Sequence, residues 1–240
     1  MTRGPGPRAL AAAVLATAAL AGASARVAEA AGSTQPAAAP ASPGLRFEQV
    51  FSSRGEPPAL HYRVAYSAGE GASAPMHRLE VWRDGERRLV RRTDDAIETH
   101  VEHRPGDPAY RMVVLDLQRR IETRISRDDL YRIGQFTDWY DLAHGLHHPM
   151  GPYRLTAEAE PAHAPRPVAA CRWYALAQAG RRTQVCWSAS VRLPLLLLDD
   201  DGRLQWQVTS IDRGPAPAAR FELRDRGFVR NDAGADISGD

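Results

Sequence analysis

The sequence predicts an α+β fold dominated by antiparallel sheet, and three observations carry that reading. Short strand-like runs follow one another from residue 60 to 126, one amphipathic helical stretch comes next, and strand-like runs resume as far as residue 211. A helix inserted into an otherwise antiparallel order is the pattern of a sheet-dominated domain.

The first runs are 60–67, 77–83, 86–93, 96–103, 110–117 and 119–126. Asp84-Gly85 is a tight-turn pair, and Arg104-Pro105-Gly106-Asp107-Pro108 makes a longer connection. Within 120–125, Ile121 and Ile125 share one face while Arg120, Glu122 and Arg124 share the other, which predicts one dry and one wet face. Ser126 then supplies an N-cap, with Asp128 and Asp129 in the first turn, where free N–H groups and the helix dipole favour acids. Leu130, Ile133, Phe136, Trp139, Tyr140, Ala143 and Leu146 recur at three- and four-residue steps, giving one apolar stripe that must be covered. The helical region therefore runs from about 127 to 144, as one piece or two shorter ones, with Gly134 as a point for a kink. Gly145 and Pro149 stop it.

Beyond a proline-rich connection at 161–167, strands are expected at 168–176, 182–188, 193–199 and 203–211, with Asp199-Asp200-Asp201-Gly202 as a turn. In the last of them Leu204, Trp206 and Val208 face one way while Arg203, Gln205 and Gln207 face the other.

The N-terminus is a different object. Seventeen of the 40 alanines lie in the first 41 residues. Arg3 and Arg8 precede an apolar run at 9–23, and small-x-small sites follow at Ala23-Ser24-Ala25 and Ala28-Glu29-Ala30, so residues 1–30 read as a cleavable export signal. A membrane span needs roughly 20 strongly apolar residues, which this alanine run does not supply. Residues 31–44 carry three prolines and no large apolar side chain, and read as a linker. The expected product is periplasmic or secreted, does not span the membrane, and has a single domain over 45–230 with an acidic tail at 231–240.

Charge excludes one class of partner. Without residues 1–30 the chain holds 28 arginines against 28 acidic residues, and it contains no lysine at all. A neutral domain lacks the field through which phosphate backbones are bound, which argues against nucleic acid. The all-arginine usage reads as coding bias, so arginine clusters carry reduced weight.

Cys171 and Cys186 are the only cysteines. A hairpin turning around Gln178-Ala179 would set them directly opposite one another, and an oxidising compartment favours a disulfide between them.

Paired strands, a helical stretch, a cysteine-bearing hairpin, the Leu193-Pro194-Leu195 strand, an Asp/Gly turn and a strand ending Val208-Thr209-Ser210-Ile211, closed by Phe221 and Phe228, resemble the periplasmic lipoprotein-carrier (LolA-type) half-barrel group, which includes RseB-type sensor domains. The resemblance spans about residues 60–228. It implies a strongly curved antiparallel sheet, an open half-barrel, with a helical segment on its concave face that binds acyl chains or protein partners. The proline usual after the closing phenylalanine is replaced here by Arg224-Asp225. The resemblance brings no catalytic residue.

For function, the leading expectation is a non-enzymatic binding module for a lipophilic molecule or a lipidated protein, with groove candidates Leu130, Ile133, Phe136, Trp139, Tyr140 and Trp206. A second reading takes the arginines of 78–92 and 119–127 as a face for an acidic protein partner. A third is a metal-dependent enzyme built on Asp138-x-x-Asp141-x-x-His144-x-x-His147-His148, whose donors suit zinc. Gly145 and Pro149 argue against a common face for the three histidines, so no metal and no cofactor are expected. Asp199–Gly202 fails as a calcium loop, because the twelfth position of that register is Val208. Gly-x-Ser-x-Gly and His-Glu-x-x-His are absent.

Overall fold

A computed structural model describes residues 44–67, 74–107, 109–132 and 137–233. The expected export signal and linker up to residue 43, together with Ile133, Gly134, Phe136 and the tail from 234, lie outside the described residues.

Among the described residues twelve strands form one sheet: β1 (Ala59–Ser67), β2 (Met76–Asp84), β3 (Arg88–Thr93), β4 (Ile97–His103), β5 (Tyr110–Asp116), β6 (Ile121–Ser126), β7 (Tyr153–Glu158), β8 (Arg172–Gln178), β9 (Arg181–Ser188), β10 (Leu193–Leu198), β11 (Leu204–Asp212) and β12 (Val229–Asp232). Their spatial order is β12-β6-β5-β4-β3-β2-β1-β11-β10-β9-β8-β7, and the end strands do not pair, so the sheet is open. Among the described residues three short α-helices accompany it, α1 (Phe47–Val50), α2 (Arg127–Arg132) and α3 (Trp139–His144), with one 3-10 turn at Ala218–Arg220. The expected 127–144 helix thus appears as two described pieces.

Three departures from the sequence reading have physical causes. The β8–β9 hairpin turns at Ala179-Gly180, one residue later than expected, because both residues take positive φ. Each pairing therefore shifts by two: Trp173 lies opposite Cys186, and Cys171 sits just before β8. The Cys171–Cys186 disulfide still forms, diagonally, with Cα atoms 5.4 Å apart. In the chain-entropy model a loop of this size contributes about 3 kcal/mol.

The order is also not wholly antiparallel. β12 runs parallel to β6, and Asn231 and Asp232, read as the start of the tail, belong to it. Finally, the face of β6 expected to be wet holds Glu122, which is fully buried between Arg124 and Arg230.

Register fixes what each face carries. Tyr62 opposes Val81, Val81 opposes Arg91, and Leu60 opposes Arg83, which opposes Leu89; the series continues through Val101 to Met112. That face takes the helices. Leu142 and Ala143 of α3 pack with Leu89, Val101, Tyr110 and Met112, while Phe47 of α1 packs with Leu155, Leu176, Val185 and Trp187. Bulges at Arg63/Val64, Pro194/Leu196 and Leu197/Leu198 bend the middle strands, and Pro194 is tolerated in β10 because it sits at one of them.

Over β2–β6 the other face is crossed by the C-terminal strap, residues 213–228, which ends in the edge strand β12. Arg220 lies 4.0 Å over Trp82, Arg88 lies 4.5 Å over Phe221, and Arg120 lies over Phe228.

Candidate functional site

The local sequence fixes where α3 starts and stops. Asp138 Oδ1 accepts the Asp141 N–H at 2.8 Å as N-cap, and Gly145 closes the helix in the left-handed region at φ 68°. A side chain at 145 would also collide with Trp206, since an added Cβ would lie 2.5 Å from its ring. Glycine here therefore lets the helix end rest directly on β11. At α2, Ser126 and Asp129 cap each other: Asp129 N donates to Ser126 Oγ at 3.1 Å, and Ser126 N donates to Asp129 Oδ2 at 2.8 Å.

A buried polar latch holds α3 to the sheet. Tyr62 Oη and Arg83 NH1 both donate to the Ala143 carbonyl, at 3.2 and 3.3 Å. The same guanidinium nitrogen lies 3.2 Å from His144 Nε2 and 3.3 Å from Glu56 Oε2. His144 Nδ1 donates to the Tyr140 carbonyl at 2.9 Å, and its Nε2 is 3.0 Å from Glu56 Oε2. Tyr140 stacks on the His144 ring at 4.2 Å and donates from its hydroxyl to Phe51 O.

With Nδ1–H committed to Tyr140, a contact between His144 Nε2 and a carboxylate oxygen needs one proton between them. Burial pushes His144 below its ordinary pKa. Burial alone would raise Glu56, but the hydrogen bond from His144 and the charge of Arg83 hold it below the usual carboxylate range. Arg83 Nε and NH2, Glu56 Oε1 and the nearby Trp187 Nε1 are buried and make no hydrogen bond among the described residues. The latch is thus incompletely satisfied, and each such atom costs about 1–3 kcal/mol.

The residues expected to line a groove lie around this latch, in packing contacts. Leu130 and Trp139 pack against the β3–β5 cluster, and Trp139 stacks on His103 at 4.7 Å. Tyr140 packs with the α1 cluster, while Trp206 is buried and donates from Nε1 to Pro194 O at 3.0 Å. Two cavities open elsewhere. One, of about 540 Å³, lies beside Cys171 and Trp173 and is bounded by residues 166–170. The other, of about 250 Å³, lies under the strap between Val90, Val113, Phe221 and Leu223, with Arg88 and Arg111 at its wall.

The arginines of 78–92 and 119–127 do not form one free basic face. Arg83 points into the latch; Arg87 and Arg88 meet Asp84, Arg92 meets Glu98, and Arg124 meets Glu122. The histidines also part company. His144 turns to Glu56 and Arg83, whereas His147 Nδ1 contacts Asp141 Oδ2 at 3.0 Å and His148 joins Asp138 and Asp141.

Sequence reasoning missed Glu56, Tyr62 and Arg83. The signal for Arg83 was present, because it occupies the inward position after Leu79 and Val81 in an alternating strand. Attributing arginine to coding bias hid it. Among the described residues no helix is long and apolar enough to cross a membrane. No protein-family model matches the chain, and no curated protein matches it.

Proposed function

We propose that the protein is an exported, non-enzymatic binding module of the half-barrel kind, in which α1–α3 form a lid on the concave face of a curved sheet and the ligand is a lipophilic molecule or the acyl chain of a lipidated protein. The observation that carries this reading is the latch. A lid held only by apolar packing would cost about 25 cal/mol for every Å² uncovered. Here Ala143 O is gripped by Tyr62 and Arg83 within a cluster in which Glu56 Oε1 and Arg83 Nε and NH2 lack partners, so water or a ligand headgroup entering on opening can satisfy atoms that the closed form leaves bare. Aromatic side chains crowd the seam between lid and sheet: Phe47, Phe51 and Tyr140 from the lid side pack towards Trp187 of β9, and Trp206 of β11 lies under the end of α3. The disulfide agrees with an extracytoplasmic site of action, and the open order of the sheet agrees with the lipoprotein-carrier half-barrel group.

The test is titration of the protein with a dansyl-labelled fatty acid, with oleate as competitor. Saturable, competed binding is expected. Tyr62→Phe, which removes one latch bond worth about 1 kcal/mol, should speed uptake roughly fivefold. Trp139→Arg should weaken binding. Absence of saturable binding, or binding indifferent to Trp139→Arg, overturns the reading.

A further inference from the structure

Beside the latch, and independent of the lid reading, three donors from one short stretch of chain converge. Asp138, Asp141 and His148 each present one ligand atom, and these atoms lie within 4.8 Å of one another. His148 Nδ1 is 3.1 Å from Asp138 Oδ2 and 3.4 Å from Asp141 Oδ1. In a tetrahedral zinc site with bonds of about 2.0 Å, neighbouring ligand atoms stand roughly 3.3 Å apart, so the two edges from His148 have the length a chelate requires as well as that of an ion pair.

The alternative occupant of this space is a proton on Nδ1. Both carboxylates favour that proton by their charge, but Nδ1 is buried and lies in hydrogen-bond geometry with neither, so a divalent ion competes with the proton and should bind more tightly as pH rises. A cation placed between the three atoms has no such directional requirement. The ring packs against Phe47 at 4.8 Å and Tyr140 at 4.6 Å between centroids. Each carboxylate is fixed. Asp138 Oδ1 accepts the Asp141 N–H, and Asp141 is held through Oδ2 by His147 and through Oδ1 by the His148 N–H. Partners of this kind orient metal ligands and raise their affinity.

We infer that Asp138, Asp141 and His148 bind one zinc-class divalent ion, which clips the start of α3 to the turn that follows Gly145. Two carboxylates and one imidazole suit zinc or cobalt(II) better than calcium, which takes six to eight oxygen ligands. The Asp138 and His148 side chains are 31% and 35% exposed, leaving the fourth position open to water. His144 takes no part. The Asp141, His144 and His148 trio weighed from the sequence is replaced by one in which Asp138 stands where His144 was expected, because the αL residue Gly145 folds His148 back onto the N-terminus of α3.

The test uses the full chain stripped with EDTA and titrated with cobalt(II), read by visible absorption. One equivalent should produce the intense band of a four-coordinate ion, and zinc should erase it. His148→Gln and Asp138→Asn should each weaken cobalt binding at least tenfold, while His163→Ala, in an exposed loop, should not change it. Circular dichroism of each variant in EDTA separates lost binding from lost fold, and Asp141→Asn is the substitute for any variant that unfolds. No saturable cobalt band up to millimolar concentration overturns the proposal. So does a band that persists unchanged in folded His148→Gln and Asp138→Asn.

Discussion

The two faces of the sheet each bury charge, and they do so in opposite ways. On the helix face Glu56, Arg83 and His144 share one small volume, with four buried polar atoms in and beside it left without partners. On the strap face Glu98 is met by Arg92 at 2.6 Å, by His100 at 2.9 Å and by Arg220 at 3.6 Å, and Glu122 lies between Arg124 and Arg230. Charges without complete hydrogen bonding are expensive to bury, whereas a carboxylate surrounded by donors keeps its charge at little cost. The difference teaches which polar group belongs to a part that moves. A saturated network resists opening because every contact it loses was a good one, and an unsaturated network gains new partners when it opens.

Breaking the helix-face cluster should have the largest effect. Arg83→Ala takes the guanidinium from the buried Glu56 carboxylate and leaves it with His144 and the more distant charge of Arg192, a change that typically costs about 3–5 kcal/mol. Urea unfolding at neutral pH should show that loss. Arg83→Met combined with Glu56→Gln removes both charges and should recover most of it, since replacing a whole buried pair is often close to neutral. A single-variant cost under about 1 kcal/mol would mean that Arg83 does not hold the latch.

The strap face is probed by acid. Burial by itself would raise the pKa of Glu98, but hydrogen bonds from His100 and Arg92 and the Arg92 charge hold it at about 2, against an ordinary 4.5. Because the folded value is the lower one, the stabilisation is fully present above pH 4.5 and is lost as pH falls through 2. It amounts to about 3 kcal/mol at most. Glu98→Gln should therefore lower stability at pH 7 by up to that amount and flatten the decline between pH 4.5 and 2. Equal acid limbs in variant and wild type would show that the network on this face is not what keeps the carboxylate charged.

How much of this was legible depended on whether a signal was local. The runs before residue 126 matched β1–β6 to within two residues, because alternation and turn pairs such as Asp84-Gly85 are written in neighbouring positions. β7 was missed although Tyr153, Leu155 and Ala157 alternate with Arg154, Thr156 and Glu158. β12 could not be read at all, since four largely exposed residues become a strand only by meeting β6 more than a hundred positions away. The latch joins Glu56, Tyr62, Arg83 and His144 from separate elements, and only register and the fold of α3 onto the sheet bring them together. The disulfide partners were identifiable from count and compartment even though the register that pairs their strands was misjudged by one turn residue.

The smallest effect should come from the end of the strap, and it separates a saturated network from one that hangs on a single contact. Arg230 Nε lies 3.3 Å from Glu122 Oε2, but its side chain is 69% exposed, while Glu122 keeps Arg124 at 2.7 Å on its other oxygen. Coulomb attraction at so exposed a group is screened, and Arg230→Ala should cost less than about 1 kcal/mol in global unfolding. The local effect should be clearer. β12 has four residues, a single neighbour and a parallel ladder, so losing the Arg230 contacts to Glu122 and Asp225 removes much of what holds its end. Amide exchange at Val229–Asp232 should accelerate at least tenfold while amides of β4 and β5 stay unchanged. A fall of 3 kcal/mol or more in global stability would instead mean that Glu122 depends on Arg230 alone, and the strap face would then be as fragile as the latch across the sheet.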